Sequence, residues 1–372
     1  MTAEETGAKR TADKGADWPP PPADFAAPYA PLRVSPERIL GVRVGVRPYR
    51  PQGFTIRAEK FGGKIVIHNY GHGGCGVTLA YGCADLAMQA AAPFAVSDAA
   101  VIGAGVIGVT TALALLRRGA RVTIYAERTP PETTSDIAAA LWEPTSLFDP
   151  DAVDDVFFDR FRFAARRSHE MFRRLAGAPR YGVRWIRRLT FRDAPPGARR
   201  VPAIEGDDLY PGAGAAMNRS RWFGFPYTDY HQALMIDAGR FMAALLADAE
   251  RAGAQIVHRR LDALKDVEEL KESVVFNCTG YGARALFGDE TLAPARGQLV
   301  LLAPQPEVDY GYVHESPDGL LYMFPRMDSI VLGGSFDYGD GSVEPREAET
   351  ARILSGHAAI AERMKRQYER RD

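Results

Sequence analysis

Three glycines in the stretch VIGAGVIG have the spacing that brings a backbone close to a phosphate group. Gly103, Gly105 and Gly108 follow a short apolar run and precede an apolar stretch that ends at a basic pair and a glycine. Between a strand and a helix, such glycines allow a tight turn, a close approach to a pyrophosphate and close helix–strand packing. The free N–H groups at the helix N-terminus favour the anion. The stretch therefore predicts a dinucleotide site.

The residues after this helix narrow the choice of dinucleotide. A second predicted strand, 121–125, is followed by Glu127, which can accept hydrogen bonds from ribose hydroxyls. An acid there favours FAD or NAD over a cofactor with a 2′-phosphate. Thr133, Thr134 and Ser135 come next, and their hydroxyls would suit the phosphates and ribityl chain of a flavin. A proline-rich turn followed by a helix N-cap explains the same three residues equally well.

Two further stretches, both before the dinucleotide turn, carry residues with chemical potential. Arg47 stands in GVRVGVRPYRPQ, where its planar guanidinium could hold a carboxylate by two parallel hydrogen bonds or form a buried structural ion pair. The stretch HNYGHGGCGVT begins at His68 and is rich in glycine. His68 and His72 are four residues apart, but the residues between them disfavour the helix that would make them a metal pair. We predict no metal site.

Composition restricts the class of protein. The chain has 372 residues, enough for two domains around a shared cleft, with 46 basic and 47 acidic side chains. This balance gives no field for nucleic acid or an anionic membrane, so we predict neither partner. Three cysteines without metal spacing indicate free thiols, and no long apolar run or signal peptide is present. These features predict a cytoplasmic protein with a small-molecule ligand, and they leave a homodimer open.

The elements that must position these residues follow from the pattern. The apolar runs before the glycine turn, at 121–125 and at 274–276 are typical of buried parallel strands, whose carboxyl ends meet at one edge of a sheet. The last run continues as Asn277, Cys278, Thr279 and Gly280, where we expect the backbone to approach the cofactor. Residues 1–35 contain four consecutive prolines and predict an extended arm, either mobile or lying across the surface.

Taken together, these motifs resemble the D-amino-acid oxidase family of FAD-dependent flavoproteins. The resemblance runs from about residue 36 to 368 and is carried by VIGAGVIG, YAERTPPETTSDIAAALWEP, VVFNCTGYGARAL, ARGQLV, LYMFP, IVLGGSF, VGVRPYRPQ and HNYGHGGCGVTLAYGCA. It implies an α/β and α+β fold, with a Rossmann-type FAD-binding domain and a mixed-sheet substrate domain. The implied substrate-domain segments are 36–62, 151–232 and 293–372, and the FAD-binding segments are 63–150 and 233–292.

The order of the motifs differs from that of the family. The arginine stretch and HNYGHGG close the chain in the family, whereas here they precede the dinucleotide turn. This order predicts a circularly permuted D-amino-acid oxidase fold, in which residues 88–100 join the old ends. Chain termini often lie close together and a short linker costs little closure entropy, so the rearrangement is physically inexpensive.

The resemblance also assigns residues to roles. Arg47 matches the arginine that clamps the substrate carboxylate, and Tyr322 matches a tyrosine that hydrogen-bonds the same group. A second family tyrosine has no counterpart because its loop is shortened, and Tyr310 or Tyr312 could replace it. The resemblance also implies a helix that starts near Val77 and directs its N-terminal dipole at the flavin ring. The implied FAD-binding residues are Gly73, Gly74, Gly76, Val77, Thr78, Gly103, Gly105, Val106, Ile107, Gly108, Glu127, Arg128, Thr133, Thr134, Ser135, Thr279 and Gly280.

The implied activity is the oxidative deamination of a D-amino acid. In this reaction hydride moves from the α carbon to flavin N5, which leaves an imine. Water hydrolyses the imine to a 2-oxo acid and ammonia. Dioxygen reoxidises the reduced flavin and is itself reduced to hydrogen peroxide. The alternatives are a flavin amine or glycine-type oxidase or dehydrogenase with another substrate or acceptor, and a flavin-binding protein without turnover. Arg326 could select acidic side chains, or it could be a surface residue.

Overall fold

Two β-sheets, each covered by helices, organise the chain. The structure is a computed structural model that describes residues 29–195, 209–211, 223–316 and 319–369. Both sheets are mixed, which confirms the expected combination of a Rossmann-type domain with a mixed-sheet domain. Residues 1–28 of the expected arm lie outside the described residues. The rest of the arm, 29–35, lies across the outside of a sheet, and the side chains of Tyr29 and Leu32 are buried against it.

The six-stranded sheet has the strand order β2-β3-β9-β4-β5-β8. Five neighbouring strands are parallel and only the edge strand β2 is antiparallel. The central strands are short apolar runs because both of their faces are covered. Their bounds are β2 Thr55–Phe61, β3 Lys64–Tyr70, β4 Asp98–Ile102, β5 Arg121–Ala126, β8 Gln255–His258 and β9 Val274–Asn277.

The helices pack on this sheet and on one another. At Gly82 a Cβ atom would lie only 2.2 Å from the Ala164 carbonyl oxygen, so the absence of a side chain lets the first and fourth helices approach closely. The helix bounds are α1 Gly76–Ala91, α2 Val106–Leu116, α3 Thr134–Ile137, α4 Asp155–Leu175, α5 Ala238–Arg251, α6 Leu264–Glu268, α7 Ala283–Phe287 and α8 Glu347–Glu369. The largest apolar cluster lies between this sheet and helices α1, α2, α4 and α5.

The eight-stranded sheet has the order β1-β10-β13-β12-β11-β6-β7, and β14 also pairs with β10. One face is buried under α8 and the described end of the arm. The opposite face carries Arg47 and Tyr322. The bounds are β1 Ile39–Tyr49, β6 Val183–Arg192, β7 Tyr227–Ile236, β10 Ala293–Leu302, β11 Tyr310–Ser316, β12 Gly319–Pro325, β13 Ile330–Gly333 and β14 Asp337–Tyr338.

The chain changes from one sheet to the other earlier than we expected. We predicted residues 36–62 in the substrate domain, but β2 pairs with β3 in the six-stranded sheet. The change occurs in the turn after β1, where Gly53 has a φ of 71° and its N–H donates to the Arg50 carbonyl. Likewise α4, which falls in the predicted substrate segment 151–232, packs on α1. The sheets are therefore more interleaved along the chain than the predicted boundaries.

Candidate active site

The dinucleotide turn has the geometry that its glycines predict. Gly103 has a φ of 106°, which a side chain would strain, and a Cβ there would lie 2.5 Å from the Cys278 carbonyl oxygen. A Cβ on Gly108 would lie 1.9 Å from the Gly103 carbonyl oxygen. Gly105 is the extended residue before α2. The turn therefore closes only with glycine, and Val106 and Ile107 begin the helix directly behind it.

The second glycine stretch forms a tight turn that leads into α1. Gly73 has a φ of 51°, and the Gly74 N–H donates to the Ser146 carbonyl at 3.1 Å. The helix then begins at Gly76 and continues through Val77 and Thr78. A Cβ on Gly76 would lie 3.7 Å from Val106, so the N-termini of α1 and α2 are in van der Waals contact. Two helix N-termini together form a strongly favourable place for anionic and carbonyl oxygens.

The hydroxyl cluster after β5 divides into different roles. The Val106 N–H donates to Ser135 Oγ at 3.0 Å, which places Ser135 on the dinucleotide turn. Thr133 caps α3, and its hydroxyl donates to the Asp136 carboxylate at 2.6 Å. Thr134 is exposed. Thr133 therefore acts as a helix N-cap, which is one of the two interpretations of the sequence. The Ser135 hydroxyl lies at the predicted cofactor site.

The ends of β5 and β9 complete this edge of the sheet. Glu127 and Arg128 are exposed just beyond β5, and Glu127 accepts a hydrogen bond from Arg260 at 3.3 Å. Beyond β9, Thr279 lies against the dinucleotide turn, since a Cβ on Gly103 would be 3.5 Å from its Cα. Gly280 follows with a φ of 59°. All predicted cofactor residues therefore lie around the carboxyl edge of the parallel strands, as ligand-binding residues of such sheets do.

The residues present fit FAD. The glycine positions form a cradle that Cβ atoms would fill, and the two adjacent helix N-termini suit a pyrophosphate and a ring carbonyl. Cys75, within the second glycine turn, is buried, and its thiol donates to the Thr145 carbonyl. The segment 143–147 therefore fills that edge of the turn. The assignment of individual residues to the cofactor stays a prediction.

Arg47 and Tyr322 converge over a floor of two glycines. Arg47 extends from β1 across Gly297 of β10, where a Cβ would lie 2.3 Å from the guanidinium. Tyr322 extends from β12 across Gly333 of the neighbouring strand β13, where a Cβ would lie 2.4 Å from the ring. Because neither glycine has a side chain, the two functional groups can lie down on the sheet and approach each other.

The electrostatic setting leaves Arg47 open to an anion. Within the described residues, its Nη1 contacts the carbonyls of Arg296 and Ser335, both at 3.4 Å, and its guanidinium lies 5.5 Å from the Phe336 ring centre. The guanidinium also hydrogen-bonds the Tyr322 side chain. Among the described residues, no carboxylate pairs with Arg47. Burial raises the pKa of Tyr322, and the nearby Arg47 charge partly opposes that rise, so the phenol stays protonated as a hydrogen-bond donor.

The structure contradicts our expectation that Tyr310 or Tyr312 replaces the missing second tyrosine. Both are fully buried on the opposite face of the sheet. The Tyr310 hydroxyl donates to the Ala30 carbonyl and the Tyr312 hydroxyl bonds His357 at 2.6 Å. Alternation along β11 explains the outcome, because even-numbered residues there point toward α8. The shortened connection is evident in the pairing of Ser316 with Gly319.

Arg326 is neither a surface residue nor a free cation. It is half-buried, its guanidinium donates to the Ala138 carbonyl, and burial lowers its pKa. The charges of Asp237, Asp328 and Asp136 oppose that lowering. The expectation of a surface residue is therefore wrong, and the selection of acidic side chains by Arg326 stays a prediction.

A buried charged cluster on the same sheet face escaped the sequence reasoning. Glu143 accepts from Arg188 Nη2 at 2.9 Å and lies 2.7 Å from His231 Nε2. Burial alone would raise the pKa of Glu143, but Arg188 and His231 lower it to about 2. The acid is the first residue of the segment 143–147, which contacts the second glycine turn. The sequence indicates this cluster only through an acid that follows Trp142. The partners of Glu143, which are Arg188 and His231, are on strands that are distant in the sequence.

The two histidines of the second glycine stretch have separate environments. His68 is buried and lies between Glu59 and Asn277. His72 stacks on Phe54 with ring centres 5.6 Å apart, and burial lowers its pKa to about 3. The described residues contain no group of three His, Cys, Asp or Glu side chains that could hold a metal. Within the same part of the chain, no helix has the length and apolar character needed to cross a bilayer.

A dinucleotide turn, a second glycine turn at the same sheet edge and an open arginine define an oxidoreductase that uses a bound flavin. The family model described as FAD dependent oxidoreductase (DAO) matches residues 98–368. The chain therefore belongs to this DAO family, and its cofactor is FAD.

Comparison with curated proteins supports the same family. The D-amino-acid oxidase of Rubrobacter xylanophilus is 32% identical over 281 residues, covering 73% of this chain and 79% of the relative. That of Streptomyces coelicolor is 31% identical, covering 71% and 77%. The human D-aspartate oxidase is 30% identical, covering 70% and 75%. Among solved structures, glycine oxidase from Geobacillus kaustophilus has a TM-score of 0.50 at 18% identity, covering 72% of this chain and 79% of that one, which shows the fold.

Proposed function

We propose that this protein oxidises a D-amino acid to a 2-oxo acid, with release of ammonia and hydrogen peroxide. The observation that carries the proposal is Arg47, which pairs with no carboxylate of the described residues and faces Tyr322 across the glycine floor. A guanidinium in this position is complementary to an α-carboxylate. The names of two curated relatives, both D-amino-acid oxidases, support the same substrate class.

In this proposal the protein contributes binding and orientation. Arg47 holds the carboxylate through its planar fork, and the Tyr322 phenol donates a further hydrogen bond to it. Fixing the carboxylate at two points directs the α C–H bond of one enantiomer away from the sheet. Bound FAD supplies the acceptor for the hydride and its electron pair. Water and dioxygen complete the balance, so that the products are a 2-oxo acid, ammonia and hydrogen peroxide.

The test is a peroxide assay on purified holoprotein with D-alanine, D-phenylalanine, D-aspartate, glycine and N-methylglycine. Turnover of the D-isomers and inactivity with the L-isomers supports the proposal. Turnover with glycine or N-methylglycine alone would instead indicate an amine oxidase. Anaerobic mixing separates a poor electron acceptor from a lack of chemistry, because any true substrate bleaches the oxidised flavin band. A flavin band that no substrate bleaches would contradict the proposed activity.

We also propose that residues 36–91 take the place of the family's C-terminal segment. The matched region begins at residue 98, yet the preceding segment supplies β1 beside β10 and β3 beside β9. It also supplies Arg47 and the second glycine turn. Without these elements the matched region would lack the arginine and one of the two helix N-termini. A circular permutation would explain why the segment precedes the match. A cytoplasmic location and a homodimer remain predictions from the sequence.

A further inference from the structure

A buried chain of hydrogen bonds connects the surface of β2 with the cofactor edge of β9. Glu59 Oε2 lies 3.2 Å from His68 Nε2, and His68 Nδ1 lies 3.1 Å from Asn277 Nδ2. Asn277 Oδ1 then accepts from the Thr279 hydroxyl at 2.8 Å and from the Thr279 N–H at 3.3 Å. We name these four residues, Glu59, His68, Asn277 and Thr279, the relay.

The two ends of the relay have different surroundings. Glu59 is partly exposed, with 42% of its side chain accessible, whereas His68 and Asn277 are buried. At the inner end, Thr279 packs against the dinucleotide turn at Gly103. The strand register places His68 opposite Asn277 on β9 and opposite Arg57 on β2, so Glu59 reaches His68 diagonally and the relay crosses β2, β3 and β9. It therefore joins solvent to the turn that lies against the predicted pyrophosphate site.

Hydrogen-bond directions fix the protonation state of His68. Asn277 Oδ1 receives both donors of Thr279, so its Nδ2 must be the atom that faces His68. An amide N–H can only donate, and therefore Nδ1 of His68 must be an unprotonated acceptor. The ring proton is then on Nε2 and is donated to Glu59. The relay is complete only with a neutral imidazole.

The charges around His68 keep it neutral at ordinary pH. The titratable and charged groups that face it are Arg57, Glu59, Tyr70 and Asp289. Burial, and then the Arg57 charge, lower the pKa of His68 below its usual 6.5, while Glu59 and Asp289 oppose the shift. Tyr70 donates to Asp289 at 2.8 Å and stays protonated because its pKa is raised.

We propose that His68 is a positioning residue for FAD, which holds the Thr279–Gly280 turn through Asn277 and releases it when protonated. A proton on Nδ1 would face the Asn277 amide with a second donor. The amide must then turn over, and Thr279 loses the acceptor that fixes it. This inference rests on the proposal that Thr279 and Gly280 contact FAD, and it concerns cofactor affinity rather than turnover.

Substitution of His68 separates the relay from simple packing. His68→Asn offers an amide oxygen where Nδ1 stands and cannot be protonated, so it should bind FAD about as tightly as the wild type near pH 7.5. His68→Leu removes the acceptor and should weaken binding about tenfold. Because the pKa of His68 is lowered, the rise in the wild-type Kd should begin below about pH 6.5 and reach at least about threefold by about pH 5, whereas the Kd of His68→Asn should stay nearly constant over the same range. The measurement is quenching of FAD fluorescence by apoprotein.

Glu59→Gln provides a control that leaves the buried residues intact. Glutamine still accepts from Nε2 but has no charge, so the pKa of His68 should fall and the acid weakening should begin at lower pH. Equal pH profiles for the wild type, His68→Asn and Glu59→Gln would overturn the inference. A thermal unfolding curve of each apoprotein identifies a variant that fails to fold. If a His68 variant fails to fold, the pH profile of Glu59→Gln still tests the inference. Wild-type protein that binds FAD but oxidises no amino acid would contradict the proposed function and would leave the inference about His68 unaffected.

Discussion

At the scale of single residues, the candidate active site depends on positions that lack side chains as much as on those that have them. Arg47 and Tyr322 come from strands that are not neighbours, and they meet because Gly297 and Gly333 between them are bare. A larger residue at either glycine would push the guanidinium or the phenol off the sheet. The glycine of the ARGQLV motif, Gly297, is therefore needed for a steric reason, because it leaves room for the Arg47 guanidinium.

Arg47→Lys should lower kcat/KM for D-amino acids at least about 100-fold, because lysine keeps the charge but lacks the planar fork. Most of the change should be in KM, since the carboxylate is bound equally in the ground state and the transition state. Arg43→Ala is the matched control, because Arg43 lies on the same strand, is exposed and donates to the neighbouring Val42 carbonyl. Steady-state peroxide kinetics check both variants, and an Arg47→Lys enzyme with unchanged KM would contradict the clamp.

Glu143→Gln should destabilise the protein by about 3 kcal/mol, because it leaves the buried Arg188 charge without a counter-ion. The exposed Glu170→Gln, which breaks ion pairs with Arg167 and Arg174, should cost less than about 1 kcal/mol. Urea unfolding of the two apoproteins measures the difference. Equal losses for the buried and exposed acids would contradict the interpretation.

The same acid predicts an acid-labile fold. The pKa of Glu143 is lowered from 4.5 to about 2, so the folded state holds fewer protons than the unfolded state between these values. Its contribution to stability is complete above pH 4.5 and is lost as the pH falls toward about 2. The free energy of unfolding of Glu143→Gln should therefore approach that of the wild type at low pH. A constant gap across this range would contradict the assignment.

Single residues also show where sequence reasoning reached its limit. Arg47 and Tyr322 were predicted by motif, and the structure brings them together. Tyr310 and Tyr312 were wrong candidates, because period-two alternation shows that neighbours on a strand face opposite ways but not which face is the site. The Glu143 cluster was missed since its members are distant in the sequence and meet only through strand pairing.

At the scale of elements, two short turns bring two helices to one sheet edge. The strand–turn–helix unit around Gly103 could be predicted because a buried parallel strand is an apolar run and the glycine spacing marks the turn. The sheet to which β2 belongs could not be predicted, since the alternation in TIRAEKF suits an edge strand of either sheet. Tertiary packing decides that choice.

Gly108→Ala should weaken FAD binding at least about 100-fold, because the new Cβ would lie 1.9 Å from the Gly103 carbonyl and would force α2 away from the turn. Gly239→Ala is the matched control, since its Cβ would meet nothing closer than 4.0 Å, and alanine favours helix α5. Fluorescence titration with FAD distinguishes them. Equal affinity for the two variants would show that close packing at Gly108 is not needed.

At the scale of the whole molecule, the two sheets share a chain that crosses between them several times. Tyr29, near the start of the described residues, lies in the same apolar cluster as Met364 of α8. The two ends of the described chain are therefore near each other, as a circular permutation requires. The permutation itself stays a prediction from the order of the motifs.

A chain that runs from 98 to 372, then through a Gly/Ser linker to residues 29–91, should fold and bind FAD within about tenfold of the original affinity. The linker is feasible because Tyr29 and Met364, each near an end that it joins, lie in one apolar cluster. The control is the fragment 98–372 without the second part, which lacks β1, β3 and α1 and should not retain FAD. Visible absorbance after gel filtration provides the measurement. A yellow fragment, or a colourless reordered chain, would contradict the proposed permutation.

The strand order has a consequence for biosynthesis. Strand β9 lies between β3 and β4, so β3, which is made early, has its inner neighbour only when residues near 277 have left the ribosome. Strand β1 can pair only after β10, which is synthesised later than β9. Such distant pairings slow folding and leave sheet edges exposed to other chains. Nascent chains that stall before β9 should therefore be the aggregation-prone species, and the flavin can enter only after synthesis has passed that strand.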